Sequence, residues 1–399
     1  MTAIDIASDA LDGQGEGWTA GEIRQQPRLW RELAGTLAAR QARTDGFLHP
    51  LLSRPELRVI LTGAGTSAFA GELLAPELAR RLGRRVDSIA TTDLVSNPRE
   101  YLAEDVPTLL VSFARSGDSP ESTAAVRLAE QCLTECHHLV ITCNEAGALA
   151  RAHVEAPRSL VLVMPAGSND RGFAMTSSFT CMVLAALLSL GNALTPGDAL
   201  TADEPDVDAS GVERLCRAAE QVLHDGPART KELARRGFHR IVYLGSGPLK
   251  GLARESALKT LELTAGRIGT WFESPLGFRH GPKSVIDAGT LVVVFVSDDP
   301  YTRRYDLDIA AELRPSTGLG QLVVVTGTPV DDLDAQQLWQ LATAGLGDAA
   351  GALVYVVCAQ LLALSLAVRL GGDPDNPFPS REVNRVVQGV TVHPLGIDR

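Results

Sequence analysis

The stretch RVILTGAGTSAFAGELLAPELAR at residues 58–80 decides the fold, because it recurs in altered form as RIVYLGSGPLKGLARESALKTLE at residues 240–262. Each stretch is an apolar run of strand length, then Gly-x-Gly, then a helical run rich in Ala, Leu and Glu. Gly63 of the first stretch corresponds to Gly245 of the second. The pattern is typical of a strand, a tight turn and a helix, present twice.

A second pair of segments matches in the same way. TLLVSFARSGDS at residues 108–119 corresponds to TLVVVFVSDDPY at residues 290–301. The offset in residue number from Thr108 to Thr290 is the same as that from Gly63 to Gly245. Two independent anchors at one offset indicate the duplication of a unit of domain size. We therefore expect two similar α/β domains in tandem, each with helices packed on a mainly parallel sheet.

The first half alternates strand-like and helical runs, and the later boundaries follow from composition. Strands are expected at residues 58–62, 86–90, 108–113, 139–143 and 159–163, and a long helix at 177–190. The predicted organisation is an N-terminal helical extension (1–50), a first domain (51–195), a linker (196–211), a second domain (212–370) and a C-terminal tail (371–399). The linker prediction rests on prolines, glycines and a run of acidic residues.

The composition excludes several classes of protein. The 399 residues carry a net charge of −11, whereas a nucleic-acid-binding protein needs a positive field. No segment has the pattern of an export signal or a membrane span, so we expect a cytoplasmic protein without nucleic-acid or membrane partners. The cluster of Cys132, Cys136, His137, His138 and Cys143 resembles metal ligands by type, but it runs into a predicted strand and favours core cysteines.

Two loops of the first half carry hydroxyl groups that the matching loops of the second half lack. They follow the strands at 58–62 and 108–113, so they should meet at one edge of a parallel sheet. Hydroxyls beside the free N–H groups of helix N-termini form a site for anions, phosphate above all. Helix capping is the alternative for a single loop, whereas two such loops favour a phosphate pocket. The candidate residues are Gly65, Thr66, Ser67, Ser116 and Ser119.

A dinucleotide site is the rival interpretation of the first loop. Ala68 stands at the third position of Gly-x-Gly-x-x-Gly, which tolerates alanine. The acidic residue expected about twenty positions later is poorly matched by Asp87 or Asp93. Binding of a small phosphate compound therefore ranks above binding of NAD.

The second half carries candidates for acid–base chemistry. Lys259 and Glu262 are three residues apart in a predicted helix and so share one face. His280 lies in the run GFRHGPK at residues 277–283, where Gly-Pro predicts a tight loop. Each residue alone could be structural, in a surface ion pair or a loop. Together a carboxylate, an ammonium group and an imidazole supply what an aldose–ketose isomerase needs.

The motifs just described resemble the sugar isomerase (SIS) family over residues 58–392. The resemblance rests on GAGTS, ARSGDS, ESALKTLELTAG and GFRHGPK. LGFRHGPK, YTRRYDLD and VNRVVQGVTVHP are most similar to its galactosamine-6-phosphate deaminase/isomerase branch, long called tagatose-6-phosphate ketose/aldose isomerase. The family implies two flavodoxin-like, three-layer α/β/α domains and an enzyme that converts D-galactosamine 6-phosphate to D-tagatose 6-phosphate and ammonia.

The resemblance also implies roles for individual residues. Glu262 matches the base that moves a proton between two carbons, and Lys259 matches a lysine near the sugar hydroxyls. His280 matches the ring-opening histidine, which in the family comes from a neighbouring subunit, so a dimer or higher homo-oligomer is expected. The phosphate loops fall on Thr66, Ser67, Ser116 and Ser119. The expected reaction uses a phosphosugar substrate and no metal or other cofactor.

Two positions depart from the glucosamine-6-phosphate synthases of the same family. Their first phosphate loop begins Ser-Gln-Ser, where this chain has Ala114-Arg115-Ser116, and Arg115 offers a charged hydrogen-bond donor to phosphate instead. Their C-terminal lysine aligns with Gln388. Glucosamine 6-phosphate as substrate, a plain phosphosugar isomerase and a non-catalytic phosphosugar sensor stay open as alternatives.

Overall fold

The structure is a computed structural model that describes residues 17–191, 207–314, 321–331, 338–387 and 389–396. The chain separates into two compact units. Domain 1 comprises Glu32–Asn169 and the described parts of Ser178–Glu204 and Ser380–Arg399; domain 2 comprises Asp170–Ser177 and the described parts of Met1–Arg31 and Pro205–Pro379. Of the predicted linker, residues 196–206 lie outside the described residues, as does Gln388.

Helices and strands alternate along most of the chain. The helices are α1 (Trp18–Arg24), α2 (Gln26–Ala39), α3 (Gln41–Leu52), α4 (Thr66–Leu82), α5 (Thr91–Ser96), α6 (Pro98–Tyr101), α7 (Pro120–Cys132), α8 (Ala148–His153), α9 (Ser177–Leu190), α10 (Ala209–Arg235), α11 (Pro248–Leu263), α12 (Pro275–Phe278), α13 (Thr302–Leu313) and α14 (Asp348–Arg369). The strands are β1 (Arg58–Thr62), β2 (Val86–Ser88), β3 (Thr108–Ala114), β4 (Cys136–Thr142), β5 (Ser159–Val163), β6 (Arg240–Leu244), β7 (Gly269–Glu273), β8 (Thr290–Val296), β9 (Leu322–Thr326) and β10 (Leu338–Gln340).

Each domain contains a five-stranded parallel sheet. The order is β2-β1-β3-β4-β5 in domain 1 and β7-β6-β8-β9-β10 in domain 2, so the two sheets share one topology. It is the flavodoxin-like order, in which the strand sequence reverses direction between the first and third strands. The central strands are buried over their whole length, because helices cover both faces of a parallel sheet. The predicted tandem α/β fold is confirmed.

The internal repeat extends to the pairing of individual residues. Arg58 on β1 pairs with Thr108 on β3, and Arg240 on β6 pairs with Thr290 on β8. Both partners in the second pair are the repeat counterparts of those in the first, at the offset that relates Gly63 to Gly245. The strand register is thus the same in both sheets, as expected of duplicated units.

Most of the predicted elements of the first half are found, with shifted ends at three strands. Strand β3 ends at Ala114, one residue later than predicted. The helix at 177–190 is confirmed as α9. Strand β2 ends at Ser88 instead of residue 90, because α5 begins at Thr91. Strand β4 begins at Cys136, three residues earlier than predicted, because His138 is a core residue and not a solvent-facing one.

Helix α14 is the central helix of domain 2. It packs against α10 and α11, and nearly every side chain from Ala349 to Ala367 is buried. By length and apolar composition it could cross a membrane, but 94% of its most apolar window is buried inside the protein. Of the helices within the described residues, only α14 is long and apolar enough to span a membrane, and it is a buried core helix.

The start of the described chain is fastened to domain 2. The Asp375 carboxylate accepts hydrogen bonds from the backbone N–H groups of Trp18 (2.7 Å) and Thr19 (2.8 Å) and from the Thr19 hydroxyl (2.7 Å). A carboxylate at this position satisfies unpaired N–H groups of α1 and complements its dipole. The N-terminal helices therefore divide between the domains, since the boundary falls between Arg31 and Glu32.

Two histidines are buried in domain 1. His138 is 3% exposed, and its ring centroid lies 4.7 Å from that of His153 on α8. Its Nε2 is 3.4 Å from Glu130 Oε1, an oxygen on a side chain that is 53% exposed. Burial, with the neighbouring imidazoles of His153 and His137, lowers the pKa of His138 from 6.5 to about 4. Burial also lowers the pKa of His153. The folded domain therefore favours neutral imidazoles.

This burial predicts a loss of stability in acid. The folded-state pKa of His138 is depressed, so its contribution is complete above pH 6.5 and is lost as the pH falls towards 4. Relative to His138→Leu, wild-type protein should lose about 2–3 kcal/mol of unfolding free energy between pH 7 and pH 4. Urea unfolding followed by circular dichroism measures this difference. His49→Leu, at an exposed side chain of α3, is the control and should leave the pH slope unchanged. Equal slopes for His138→Leu and wild type would contradict the assignment.

Candidate active site

The turn after β1 is shaped by two glycines. A Cβ atom on Gly63 would lie 2.6 Å from the backbone carbon of Ser67, so only glycine allows the turn to close. Gly65 has φ +56° and ψ −127°, a backbone conformation that other residues adopt only with strain. Helix α4 begins at Thr66, and its N-cap residue Gly65 offers no side chain to the first N–H groups. Thr66 and Ser67 therefore lie at a helix N-terminus at the carboxyl end of the sheet.

The second predicted loop follows the neighbouring strand β3. Ser119 is the N-cap of α7: its Oγ accepts a hydrogen bond from the N–H of Ser122 (3.3 Å) and lies 2.7 Å from the Ser122 hydroxyl. Ser116 Oγ accepts a hydrogen bond from the N–H of Asp118 (3.3 Å). Because β1 and β3 are adjacent and parallel, the hydroxyls of both loops gather where the strand order reverses, the usual place for a ligand in such sheets.

Arg115 has a partner that the sequence did not indicate. Its side chain is buried, and Nη2 donates a hydrogen bond to the carbonyl oxygen of Arg385 in the C-terminal tail (2.8 Å). Arg99 makes a similar bond to the carbonyl of Gly396 (2.7 Å). Part of the Arg115 guanidinium group is thus engaged in fixing the tail on domain 1, in addition to any role at the loop.

Lys259 and Glu262 meet on α11 of domain 2, as their spacing predicts. Lys259 Nζ is 2.5 Å from Glu262 Oε2 and 3.4 Å from Glu255 Oε1. The side chains of Lys259 and Glu255 are fully buried, whereas that of Glu262 is 23% exposed. Burial alone would lower the pKa of Lys259, but the two carboxylates outweigh it and the pKa is raised. The ammonium group therefore stays charged and holds Glu262 at the accessible edge of the cluster.

Glu255 is a member of this cluster that the sequence analysis did not identify. Its position four residues before Lys259 is the spacing of an ion pair on one helical face, so the signal was present in the sequence. Its full burial could not be inferred from that spacing. Glu255 thus adds a second, fully buried carboxylate beside the Lys259 ammonium, whereas Glu262 is the more accessible of the two carboxylates.

His280 occupies the tight loop that the Gly-Pro pair predicts. The loop follows α12, and Gly281 has φ +119°. Flanking cations bind one carboxylate on α13: Arg279 Nε lies 2.6 Å and Lys283 Nζ 2.5 Å from Glu312. The imidazole itself is exposed and makes no side-chain hydrogen bond to any described residue. The loop is thus anchored by its charges while the ring projects outward.

The candidate residues fall into two groups by domain. The hydroxyl loops and Arg115 belong to domain 1, and Lys259, Glu262 and His280 belong to domain 2. The fold and the two groups of residues define a class of protein with two duplicated flavodoxin-like domains. One domain carries hydroxyl-rich loops of the kind that bind anions, and the other carries a buried lysine–carboxylate cluster.

Comparison with known proteins agrees with that class. The SIS domain profile matches residues 51–190. An AgaS protein of Streptomyces coelicolor is 60% identical over 94% of this chain and 95% of its own length. The D-galactosamine-6-phosphate deaminase AgaS of Escherichia coli is 46% identical over 94% of this chain and 96% of its own length. The crystal structure of tagatose-6-phosphate ketose/aldose isomerase from E. coli superposes with a TM-score of 0.84 at 42% identity, covering 95% of this chain and 96% of that one.

These similarities extend over nearly the full length of the relatives. The chain belongs to the SIS family and, within it, to the branch of the AgaS galactosamine-6-phosphate deaminases and the tagatose-6-phosphate ketose/aldose isomerases. The family resemblance expected from the sequence is confirmed.

The buried cluster makes a prediction about stability. Lys259→Met would leave Glu255 buried without its counter-charge and should lower the unfolding free energy by about 3–5 kcal/mol. The double variant Lys259→Met with Glu255→Gln should recover much of this loss, since no uncompensated charge stays buried. Urea unfolding of the single and double variants gives the coupling energy.

A matched control lies on the same helix. Lys250 also forms an ion pair, 2.9 Å from Glu273, but its side chain is 48% exposed. Lys250→Met should therefore cost no more than about 1 kcal/mol. A loss at Lys259 no larger than at Lys250 would show that the buried cluster is not held together by charge.

Proposed function

We propose that the chain is an enzyme that converts D-galactosamine 6-phosphate to D-tagatose 6-phosphate and ammonia. The observation that carries the proposal is the buried Lys259 ammonium, which holds the partly exposed Glu262 carboxylate at 2.5 Å on α11. A carboxylate held in this way suits proton transfer between neighbouring carbons of a sugar. The names of relatives 42–60% identical to the chain supply the substrate.

The phosphate group binds in domain 1. The hydroxyls of Thr66, Ser67, Ser116 and Ser119, with the N–H groups at the start of α4, provide donors without a carboxylate in the loop between β1 and α4. Arg115 adds positive charge behind the second loop, although one of its nitrogens already binds the tail. Binding energy from the phosphate, remote from the reacting carbons, orients C1 and C2 of the sugar for reaction.

The reaction is a proton transfer followed by hydrolysis. His280 assists opening of the sugar ring, which exposes the C1 aldehyde. Glu262 removes the proton from C2 to form a cis-enolamine, and the proton is returned to C1. The resulting 2-imino ketose 6-phosphate adds water and releases ammonia, leaving the ketose 6-phosphate. Lys259 orients Glu262 through their ion pair, and the proposed steps use no metal or redox cofactor.

We also propose a cytoplasmic homo-oligomer, at least a dimer, in which His280 serves the site of a neighbouring subunit. The exposed imidazole on a loop anchored by Arg279 and Lys283 supports this arrangement, because a ring that projects outward can reach another chain. Leu276, on the short helix before that loop, and Trp271, on β7, are 48% and 44% exposed. Apolar side chains of this size at a surface are typical of protein interfaces.

A plain aldose–ketose isomerase is the second candidate. The similar E. coli structure carries the name tagatose-6-phosphate ketose/aldose isomerase, and the same proton transfer on a 2-hydroxy sugar would end without ammonia. Glucosamine 6-phosphate is the alternative substrate for the deaminase reaction, differing in configuration at C4.

Ammonia release from the two amino sugars tests the function directly. Purified protein should release ammonia from galactosamine 6-phosphate and markedly less from glucosamine 6-phosphate, measured by a coupled ammonia assay. A preference for glucosamine 6-phosphate would keep the mechanism and change the substrate. Phosphosugar binding without ammonia release from either would rule out the deaminase and leave the isomerase.

Mixed oligomers test Glu262 and His280 together. Glu262→Gln and His280→Asn should each lower kcat at least about 100-fold, since one acid–base group contributes roughly 10²–10⁴-fold. If the two residues come from different subunits, unfolding and refolding an equal mixture should restore about a quarter of wild-type activity in a dimer, because half of the sites in the mixed dimers are intact. Each variant refolded alone is the control. Mixtures as inactive as the separate variants would place both residues in one chain's site.

A further inference from the structure

The duplication allows the phosphate loops of domain 1 to be compared with their counterparts in domain 2. Helix α7 begins at Pro120 and α13 at Thr302, which again keeps the offset between the repeats. The loop of Ser116 and Ser119 thus corresponds to residues 298–301, and the Gly63–Ser67 turn to residues 245–249. In both domains these loops follow adjacent parallel strands.

In domain 2 a carboxylate of the chain itself bridges the two loops. Asp306 on α13 is fully buried. Its Oδ1 accepts a hydrogen bond from the Ser246 hydroxyl (2.5 Å) in the first loop, and its Oδ2 accepts one from the N–H of Ser297 (2.9 Å) in the second. An anion that bound at this edge of the sheet would need the same donors.

A second carboxylate binds the remaining hydrogen-bond donors at this edge of the sheet. Asp348, the first residue of α14, accepts hydrogen bonds from the Ser297 hydroxyl (2.5 Å) and from the N–H of Asp298 (2.8 Å). The two carboxylates together take two backbone N–H groups and two hydroxyls, which is the donor set of a phosphate site. Their combined charge is close to that of a phosphate monoester near neutral pH.

Domain 1 lacks the equivalent carboxylate on its helix. The repeat counterpart of Asp306 is Ala124 on α7, which is buried. A methyl group there cannot reach the loops, so their donors face no acidic side chain from that position. In domain 2, by contrast, burial and the nearby charge of Asp348 raise the pKa of Asp306 to about 6, because two carboxylates lie close together there.

We infer that Asp306 and Asp348 occupy an inherited anion site in domain 2, and that their removal would open that site to phosphate. As a consequence each chain binds a single sugar phosphate, in domain 1. The statement about domain 1 rests on the proposed function, whereas the occupied site of domain 2 rests on the contacts of Asp306 and Asp348. The two halves therefore differ in what fills the anion site, because the second half retains the loop geometry but fills the site with its own carboxylates.

Equilibrium dialysis with inorganic phosphate tests the inference. Wild-type protein should bind one phosphate per chain, and Ser116→Ala with Ser119→Ala should abolish that binding. Adding Asp306→Ala and Asp348→Ala to this pair should create a new site of about one phosphate per chain. Asp308→Asn, at an exposed residue of α13, is the matched control that removes a charge and should create no site.

The outcomes separate the two proposals. Two phosphates bound per chain by wild-type protein would overturn the occupied site. A folded variant lacking both aspartates that binds no additional phosphate would overturn it as well. If that variant does not fold, Asp306→Ser with Asp348→Ser replaces it, because a hydroxyl keeps a hydrogen-bonding group and removes the charge, and the same outcomes apply. Wild-type protein that binds no phosphate at all would contradict only the phosphate site of domain 1.

Discussion

The close approach of a helix N-terminus to the end of a strand is the constraint on which both domains depend. At Gly63 a Cβ atom would lie 2.6 Å from the backbone of Ser67, and at Gly245 it would lie 2.4 Å from that of Leu249. The turn therefore brings backbone N–H groups and the positive end of a helix to the carboxyl edge of each sheet. Every candidate ligand contact in domain 1, and the internal carboxylates of domain 2, use this edge.

The loops at this edge carry different side chains in the two domains. In domain 1 the residues added to the loops are hydroxyls, which attract phosphate without supplying charge of their own. In domain 2 the loop donors bond to Asp306 and Asp348, and the residues proposed for proton transfer, Lys259 and Glu262, meet on helix α11. A buried ammonium is costly unless carboxylates compensate it, so Glu255 and Glu262 are needed for stability as well as for orientation.

Much of the fold could be predicted from the sequence, because strand and helix periods and the internal repeat are local patterns. Helix α9 was predicted with its observed ends. The start of β4 was missed because histidine is usually a surface residue, and nothing local showed that His138 would pack against His153. The predicted domains are continuous stretches of sequence. The compact units of the structure also include segments distant along the chain, such as Asp170–Ser177 in domain 2.

The sequence by itself determined the repeat, the sheet-edge loops and the types of residue available for catalysis, since these depend on neighbours a few positions apart. Only the tertiary structure decided the burial of Lys259 and Glu255, the attachment of Arg115 to the tail and the contacts of Asp306 with both loops. Each of these joins elements far apart in the chain or depends on what covers a helix face. Burial and long-range pairing arise from packing, which spacing along one helix or strand does not encode.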